Sequence, residues 1–299
     1  MSEDPEMQER DESTEADVVE RFAADEAFGV LGNETRLRTL QCLFDADEPL
    51  TFSDLREGVG MRDSGQFNYH LDKLLGTFAR VTEDGYELTA AGTQVAGAIL
   101  AGEYTKTIRA DPVDVGANCS YCEGPLVSYF AEERVRISCG GCGRDLISLS
   151  MPPGALEAYP QEKWPKVAER WTRTQFEMAM AGFCPTCRGP IEERVTLEPE
   201  SLSELFEAGV VYACERCSLE LSANAASGVL THPAVVGFHH EHGIDVDRTA
   251  IWELEWPVSP TADVVSEDPI RVEIPIELDG DRLVLVIDGS ATVVEERRE

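Results

Sequence analysis

The chain has 299 residues, 42% of them apolar, and sets 25 Lys and Arg against 57 Asp and Glu for a formal net charge of −32. That length can bury real cores, while nine cysteines, eight of them in recurrent pairs, argue for several modules over one large fold. No run approaches the roughly 18–20 apolar residues of a membrane span, and no charged-then-apolar leader opens the chain, so a cytoplasmic protein is expected, in which paired thiols bind metal.

The acid is spread through every module. Such a field repels nucleic acid at low ionic strength, whereas an even acidic coat suits a protein working in molar salt; a salt-loving source is expected. Residues 1–19 are acidic, poor in large apolar groups, and read as a disordered tail. From residue 18 to 31 apolar residues recur at helical spacing until Gly32-Asn33 breaks and recaps the chain. A second helix follows with Leu37, Leu40 and Phe44 on one side and Cys42 as a small core residue.

Thr51 and Asp63 each stand three residues before a polar partner, Asp54 and Gln66, as helix caps do. The first opens a short helix stopped by Gly58 and Gly60, the second a helix with Phe67, Leu71 and Leu74 on one face. Asp84-Gly85 between two short strands signals a hairpin, and residues 90–100 return to a helical pattern. This order is the outline of a helix-turn-helix followed by a wing, assigned to residues 20–110.

The middle of the chain repeats itself. Cys119-x-x-Cys122-Glu123-Gly124-Pro125-Leu126 recurs as Cys184-x-x-Cys187-Arg188-Gly189-Pro190-Ile191, and the pairs Cys139/Cys142 and Cys214/Cys217 complete each copy. One Cys-x-x-Cys turn presents two thiolates, and two facing turns make a sulfur tetrahedron suited to zinc. Iron is the chemical competitor; a dithiol redox pair or a chance pairing are the plainer alternatives. Four thiolates leave no open coordination position, so two structural zinc ions per chain are expected.

The first ribbon is assigned to residues 111–154, the second to 183–230, and the segment 155–182 between them to helix, with Val167, Trp171, Phe176 and Met180 as its packing groups. Residues 231–299 are assigned to a C-terminal β module. There Val272, Ile274, Ile276 and Leu278 alternate, Asp279-Gly280 turns the chain, and 283–287 is apolar enough to be buried on both faces. Trp252, Leu254 and Trp256, read as a strand, point one way and are expected to pack on that hairpin. The fold class is α+β multidomain: a winged helix-turn-helix, two four-cysteine ribbons linked by a helix, and C-terminal strands.

His239, His240 and His242 flank Glu241 without the His-Glu-x-x-His spacing of a catalytic metal site, and are expected to pack or hydrogen-bond. With no glycine-rich phosphate loop and no Gly-x-Ser-x-Gly elbow, no enzyme is expected.

The run from Leu31-Gly32-Asn33 through Arg36-Leu37 to Leu40, followed by Phe52-Ser53-Asp54-Leu55, by Gly65-Gln66-Phe67-Asn68-Tyr69-His70-Leu71-Asp72-Lys73-Leu74 and by the wing at Asp84-Gly85-Tyr86-Glu87-Leu88-Thr89, resembles the ArsR-type winged-helix transcriptional regulators, above all those of halophilic archaea. The likeness covers residues 24–100. It implies a dimeric regulator that puts the helix beginning near Ser64 into the major groove of DNA and lays the hairpin along the backbone. The segment matching the metal-sensing helix of some relatives, 52–57, has no cysteine. The cysteine-rich half resembles extensions of haloarchaeal regulators.

Charge agrees with that placement. Residues 61–80 hold Arg62, Lys73 and Arg80 against Asp63 and Asp72, leaving +1 in an otherwise negative chain, so contact with a polyanion costs least there. Gln66, Asn68 and Tyr69 can reach bases or phosphates, while Arg62, Lys73 and Arg80 supply attraction; His70 is expected to be partly buried. The plainer reading is a solvated helix face serving protein contact. The rival function is an adaptor docking on a transcription or RNA-processing complex through the ribbons, by way of Tyr121, Tyr129, Phe130, Arg134 and Arg136.

Overall fold

A computed structural model describes residues 23–131, 134–197 and 206–299. The acidic tail expected at 1–19, and the start of the helix expected from residue 18, lie outside them. The chain divides into two compact units, one ending at Leu100 and one beginning at Ala101.

The first unit runs α1 (Ala24–Leu31), α2 (Glu34–Phe44), α3 (Phe52–Val59), α4 (Ser64–Leu74), β1 (Ala79–Val81), β2 (Tyr86–Leu88) and α5 (Ala90–Ala101). Three helix starts carry their own caps: the side chains of Asn33, Thr51 and Asp63 accept from the backbone N–H of Arg36, Asp54 and Gln66, satisfying donors that a helix start leaves orphaned. Leu40, Leu43, Leu55, Val59, Phe67, Leu71, Leu74, Phe78 and Ala79 form one core. On α2 the buried apolar pair is Leu40 and Leu43, and the expected core residues Leu37 and Phe44 stand half-buried at its margin. Cys42 is likewise half-buried against this core. β1 and β2 pair antiparallel with Arg80 opposite Glu87, forming the expected wing.

The second unit holds three antiparallel sheets. β3 (Val113–Asn118), β4 (Pro125–Ala131), β5 (Arg134–Cys139) and β6 (Asp145–Ser150) pair in sequence order. After a short α6 (Gly154–Glu157) and α7 (Trp164–Met180) come β7 (Ile191–Thr196), β8 (Gly209–Cys214) and β9 (Glu220–Asn224), again in order. Three short helices follow, α8 (Ala225–Gly228), α9 (Pro233–Glu241) and α10 (Ile251–Leu254), and then a sheet of β10 (Asp263–Glu267), β11 (Ile270–Leu278), β12 (Asp281–Asp288) and β13 (Val293–Arg298). Asp279 and Gly280 join β11 to β12 with φ of 53° and 94°, the two left-handed positions of a tight hairpin. Leu283 to Ile287 are buried at every position, as a central strand requires.

Two cores fill this unit. One gathers Leu126, Phe130, Val135, Ile137 and Ile147 with Val167 and Ala168 of α7. The other joins Val210, Tyr212 and Leu221 of the second ribbon to Val272, Ile274, Ile276 and Leu285 of the terminal sheet. α7 belongs to both, because its N-terminal half packs on the first and Phe176, Ala179 and Met180 pack on the second. At mid-helix Arg173 and Glu169 form a buried ion pair of 2.6 Å, with side chains only 10% and 6% exposed. Arg173 also donates to the carbonyls of Val246 and Thr249, and Glu169 accepts from the N–H of Ile251, so both charges are solvated by the protein itself.

The strand expected at 252–256 is corrected. Ile251–Leu254 is helical and Trp256–Val258 is a 3-10 turn, with Glu255 between them at φ 61°. Pro257 has no N–H for a strand ladder, and the Glu253 side chain accepts from the N–H of Ala250 to start the helix. Leu254 and Trp256 do pack on the β11–β12 core, but Trp252 turns away into the core of the first ribbon.

Candidate functional site: two four-cysteine centres and an exposed helix face

Each ribbon is built from two hairpin knuckles with one hydrogen-bond grammar. The N–H of Cys119, Cys139, Cys184 and Cys214 donates to the carbonyl five residues on, at Gly124, Arg144, Gly189 and Leu219. This bond closes each turn and aims two sulfurs inward. Glu123 and Arg188 occupy matching places in the repeat, both left-handed, at φ of 58° and 60°. A Cβ on the next residue, Gly124, would come within 3.1 Å of Cys139 Sγ and of the Gly141 backbone, which explains the glycine that the repeat carries there.

The sulfurs converge. Cys119 Sγ lies 3.9 Å from Cys142 and Cys122 lies 3.3 Å from Cys139; in the second cluster Cys184–Cys217 is 3.7 Å and Cys187–Cys214 is 3.4 Å. Within each cluster all four fall within 4.8 Å of one another. Zn–S bonds of about 2.3 Å put the sulfurs of a tetrahedron roughly 3.8 Å apart, so the donor set fits two structural zinc ions per chain. Burial raises the Cys139 thiol, but N–H donors from Cys142 and Gly141 and the Cys122 thiol outweigh it and bring it down to about 6. Cys214 is drawn to about 6 in the same way by the N–H groups of Arg216 and Cys217. Their cluster partners move the other way, Cys122 up to about 11 and Cys217 up to about 12, so each cluster holds a mixture of thiolate and thiol whose remaining protons a bound metal displaces. With four sulfurs around the ion, its place in the chemistry is to hold the fold.

Among the described residues, these two clusters are the groups of Cys, His, Asp and Glu that could hold a metal. The histidines do other work. His239 is fully buried, donates from Nδ1 to the carbonyl of Val235 at 2.8 Å and accepts at Nε2 from the Trp256 indole at 3.0 Å. His242 bonds the carbonyl of Phe238 and Asp281, and Glu241 pairs with Arg298 at 2.5 Å.

In the first unit, Phe67, Leu71 and Leu74 face the core, and Arg62, Ser64, Gln66, Asn68, Tyr69, Lys73 and Arg80 are all exposed. Some already have partners: Asn68 donates to Asp72 at 2.8 Å, Arg80 pairs with Glu87 at 2.6 Å, and the Lys73 ammonium sits 5.8 Å from the Tyr69 ring centre. His70 is half-buried, and its Nδ1 is buried without a hydrogen-bond partner among the described residues. The wing tip carries the exposed acids Glu83 and Asp84. On the first ribbon Tyr129, Arg134 and Arg136 are exposed, whereas Phe130 is buried and Tyr121 half-buried. No helix among the described residues is long and apolar enough to cross a membrane.

A family model described as a domain of unknown function, DUF7351, matches residues 116–293, more than half of the chain. The chain belongs to the DUF7351 family. The matched span takes in both four-cysteine clusters and ends in the last strand, so the DUF7351 region coincides with the metal-bearing part of the molecule. A second model, the domain of unknown function DUF7347, matches residues 24–99, the winged-helix-like part. No curated protein and no solved structure matches the chain.

Proposed function

We propose that the protein is a sequence-specific DNA-binding transcriptional regulator of ArsR-like type, with the two zinc ribbons as structural modules. The observation that carries this reading is α4: a helix capped at Asp63, anchored by Phe67, Leu71 and Leu74, that turns Gln66, Asn68 and Tyr69 outward beside a paired wing. Ser64 and Gln66 lie in the first turn, the part of a recognition helix that meets base edges. Lys73 and Arg62 supply phosphate attraction. Arg80 supplies less, since Glu87 already neutralises it, and Asn68 must exchange Asp72 for a base edge.

Halophilic archaea are the source that the composition favours, since molar salt screens a net charge of −32. A homodimer is supported by the apolar residues Phe28 on α1 and Leu100 on α5, exposed to 69% and 64%. A cytoplasmic site and the absence of enzymatic activity complete the proposal. The adaptor reading draws on Tyr129, Arg134 and Arg136, which face solvent on the first ribbon.

The test is binding to genomic sites mapped in the source cells, measured from moderate to molar KCl. Gln66→Ala is expected to cost about 1–3 kcal/mol on the preferred site and little on unrelated DNA. Lys73→Ala should weaken both together and flatten the salt dependence. Equal affinity of wild-type and the Gln66/Asn68 double alanine variant for a mapped site, with both folded, overturns the assignment of α4 as reader.

A further inference from the structure

A cavity of about 680 Å3 lies between the two ribbons. Edge strand β6 of the first sheet contributes every residue from Asp145 to Ser150, edge strand β9 of the second contributes Glu220 to Asn224, and α7 adds Phe176 and Met180. Small-molecule sites commonly enclose about 300–1,000 Å3, mostly apolar with a few convergent polar groups. Here the apolar body is supplied by Leu149, Phe176, Met180 and Leu221.

The polar groups gather at one end. The Tyr121 hydroxyl is buried and has no hydrogen-bond partner among the described residues. The Arg144 guanidinium stands 4.9 Å from the Tyr121 ring centre, half-buried, donating to Cys142 Sγ at 3.6 Å and, among the described residues, without a carboxylate partner. Most other charges lining the cavity are already matched: Glu169 by Arg173, Asp145 by Arg136, Glu220 by Arg194. Among the described residues lining the cavity this leaves Arg144 and Glu177 without an ion pair, while Arg134 donates to the carbonyl and hydroxyl of Ser148. An unpaired buried hydroxyl is costly unless something takes its hydrogen bond, and a guanidinium can only donate. The hydroxyl calls for an acceptor, and the donors that Arg144 does not spend on the Cys142 sulfur favour an anionic one.

We propose that this cavity binds an apolar organic acid, its carboxylate received by the Tyr121 hydroxyl and the Arg144 guanidinium and its apolar body lying against Phe176, Met180 and Leu221. The site belongs to the second unit and does not depend on the DNA-binding reading.

The test uses the full zinc-loaded chain in high KCl with 8-anilinonaphthalene-1-sulfonate as a fluorescent apolar anion, then decanoate and decanol as competitors. One saturable probe site per chain is expected, displaced by decanoate at least tenfold more effectively than by decanol. Arg144→Gln should weaken decanoate about tenfold and leave decanol unchanged. Ser222→Trp, which fills the cavity from β9, should abolish probe binding with the zinc content unchanged; should Arg144→Gln lose zinc, this second variant decides alone. Non-saturable probe binding, equal competition by acid and alcohol, or wild-type probe binding by a folded Ser222→Trp protein overturns the proposal.

Discussion

The two units reach stability by different routes. In the first, the main core cluster runs from Leu40 to Ala79, most of it on helices whose starts are capped by the side chains of Asn33, Thr51 and Asp63. In the second, cores are assembled from segments as distant as Leu126 with Trp252 and Tyr212 with Ile274, and two four-cysteine centres tie the hairpins. Local helices can bury a sufficient core by themselves, whereas short knuckles cannot and depend on metal and on long-range packing.

Removing zinc should break this comparison most strongly if it is wrong. Structural zinc contributes about 10–16 kcal/mol in isolated finger peptides, so chelation under reducing conditions should unfold the second unit and spare the first. All four tryptophans, at 164, 171, 252 and 256, lie in the second unit, so their fluorescence reports it alone. The expected outcome is a collapse of that signal, and release of two zinc per chain, while helical circular dichroism from residues 24–100 persists. Unchanged tryptophan fluorescence in a metal-free chain would contradict the dependence on metal.

The buried pair at mid-α7 sharpens the same contrast. Arg173→Met strands Glu169 in a site where both side chains are nearly inaccessible, and breaking such a pair costs about 3–5 kcal/mol. Denaturant unfolding followed by tryptophan should show the loss, with the first unit unaffected. The converse is Asp63→Ala, which removes the cap of α4 and should cost about 1 kcal/mol; it should shift the helical transition and leave the tryptophan transition in place.

The last test is a slope with pH. Burial holds His239 below its ordinary value, so its contribution is complete above about 6.5 and is lost as pH falls from there through the folded pKa. His242 is raised by its bond to the Phe238 carbonyl and by Asp281, so its contribution is complete below about 6.5 and is lost as pH rises through the folded pKa. Thermal melts at fixed KCl should find the acid-side loss reduced in His239→Gln and the alkaline-side loss reduced in His242→Gln. Identical profiles for wild-type and both variants would remove the histidines from the account.

Much of this was legible in the residues because the signals were local. Asp63 before Gln66, Asp279-Gly280 between alternating strands, and the spacing of eight cysteines each dictate a turn or a cap within a few positions, and the structure has them. What escaped was set by distance along the chain. Apolar residues at 252, 254 and 256 satisfy a strand period and a short helix followed by a 3-10 turn equally, and only Pro257 told against the strand. The cavity between β6 and β9 had no motif at all, because residues about seventy-five positions apart line it. That the second ribbon and the terminal sheet share one core was hidden for the same reason, since alternation in each strand says that a face is buried but not against what.

α7 has one more consequence. Its 17 residues span about 26 Å at 1.5 Å per residue, and opposite ends of it are keyed into different cores. Because each added residue turns a helix by about 100°, a single insertion near Arg173 would swing Phe176 and Met180 out of phase with their core while Val167 stayed in place. Insertions of whole turns would restore the phase but move the faces apart by about 5.4 Å per turn. The length of this helix is therefore held to a narrow register, much as the pitch of a screw is fixed by the two threads that it must engage.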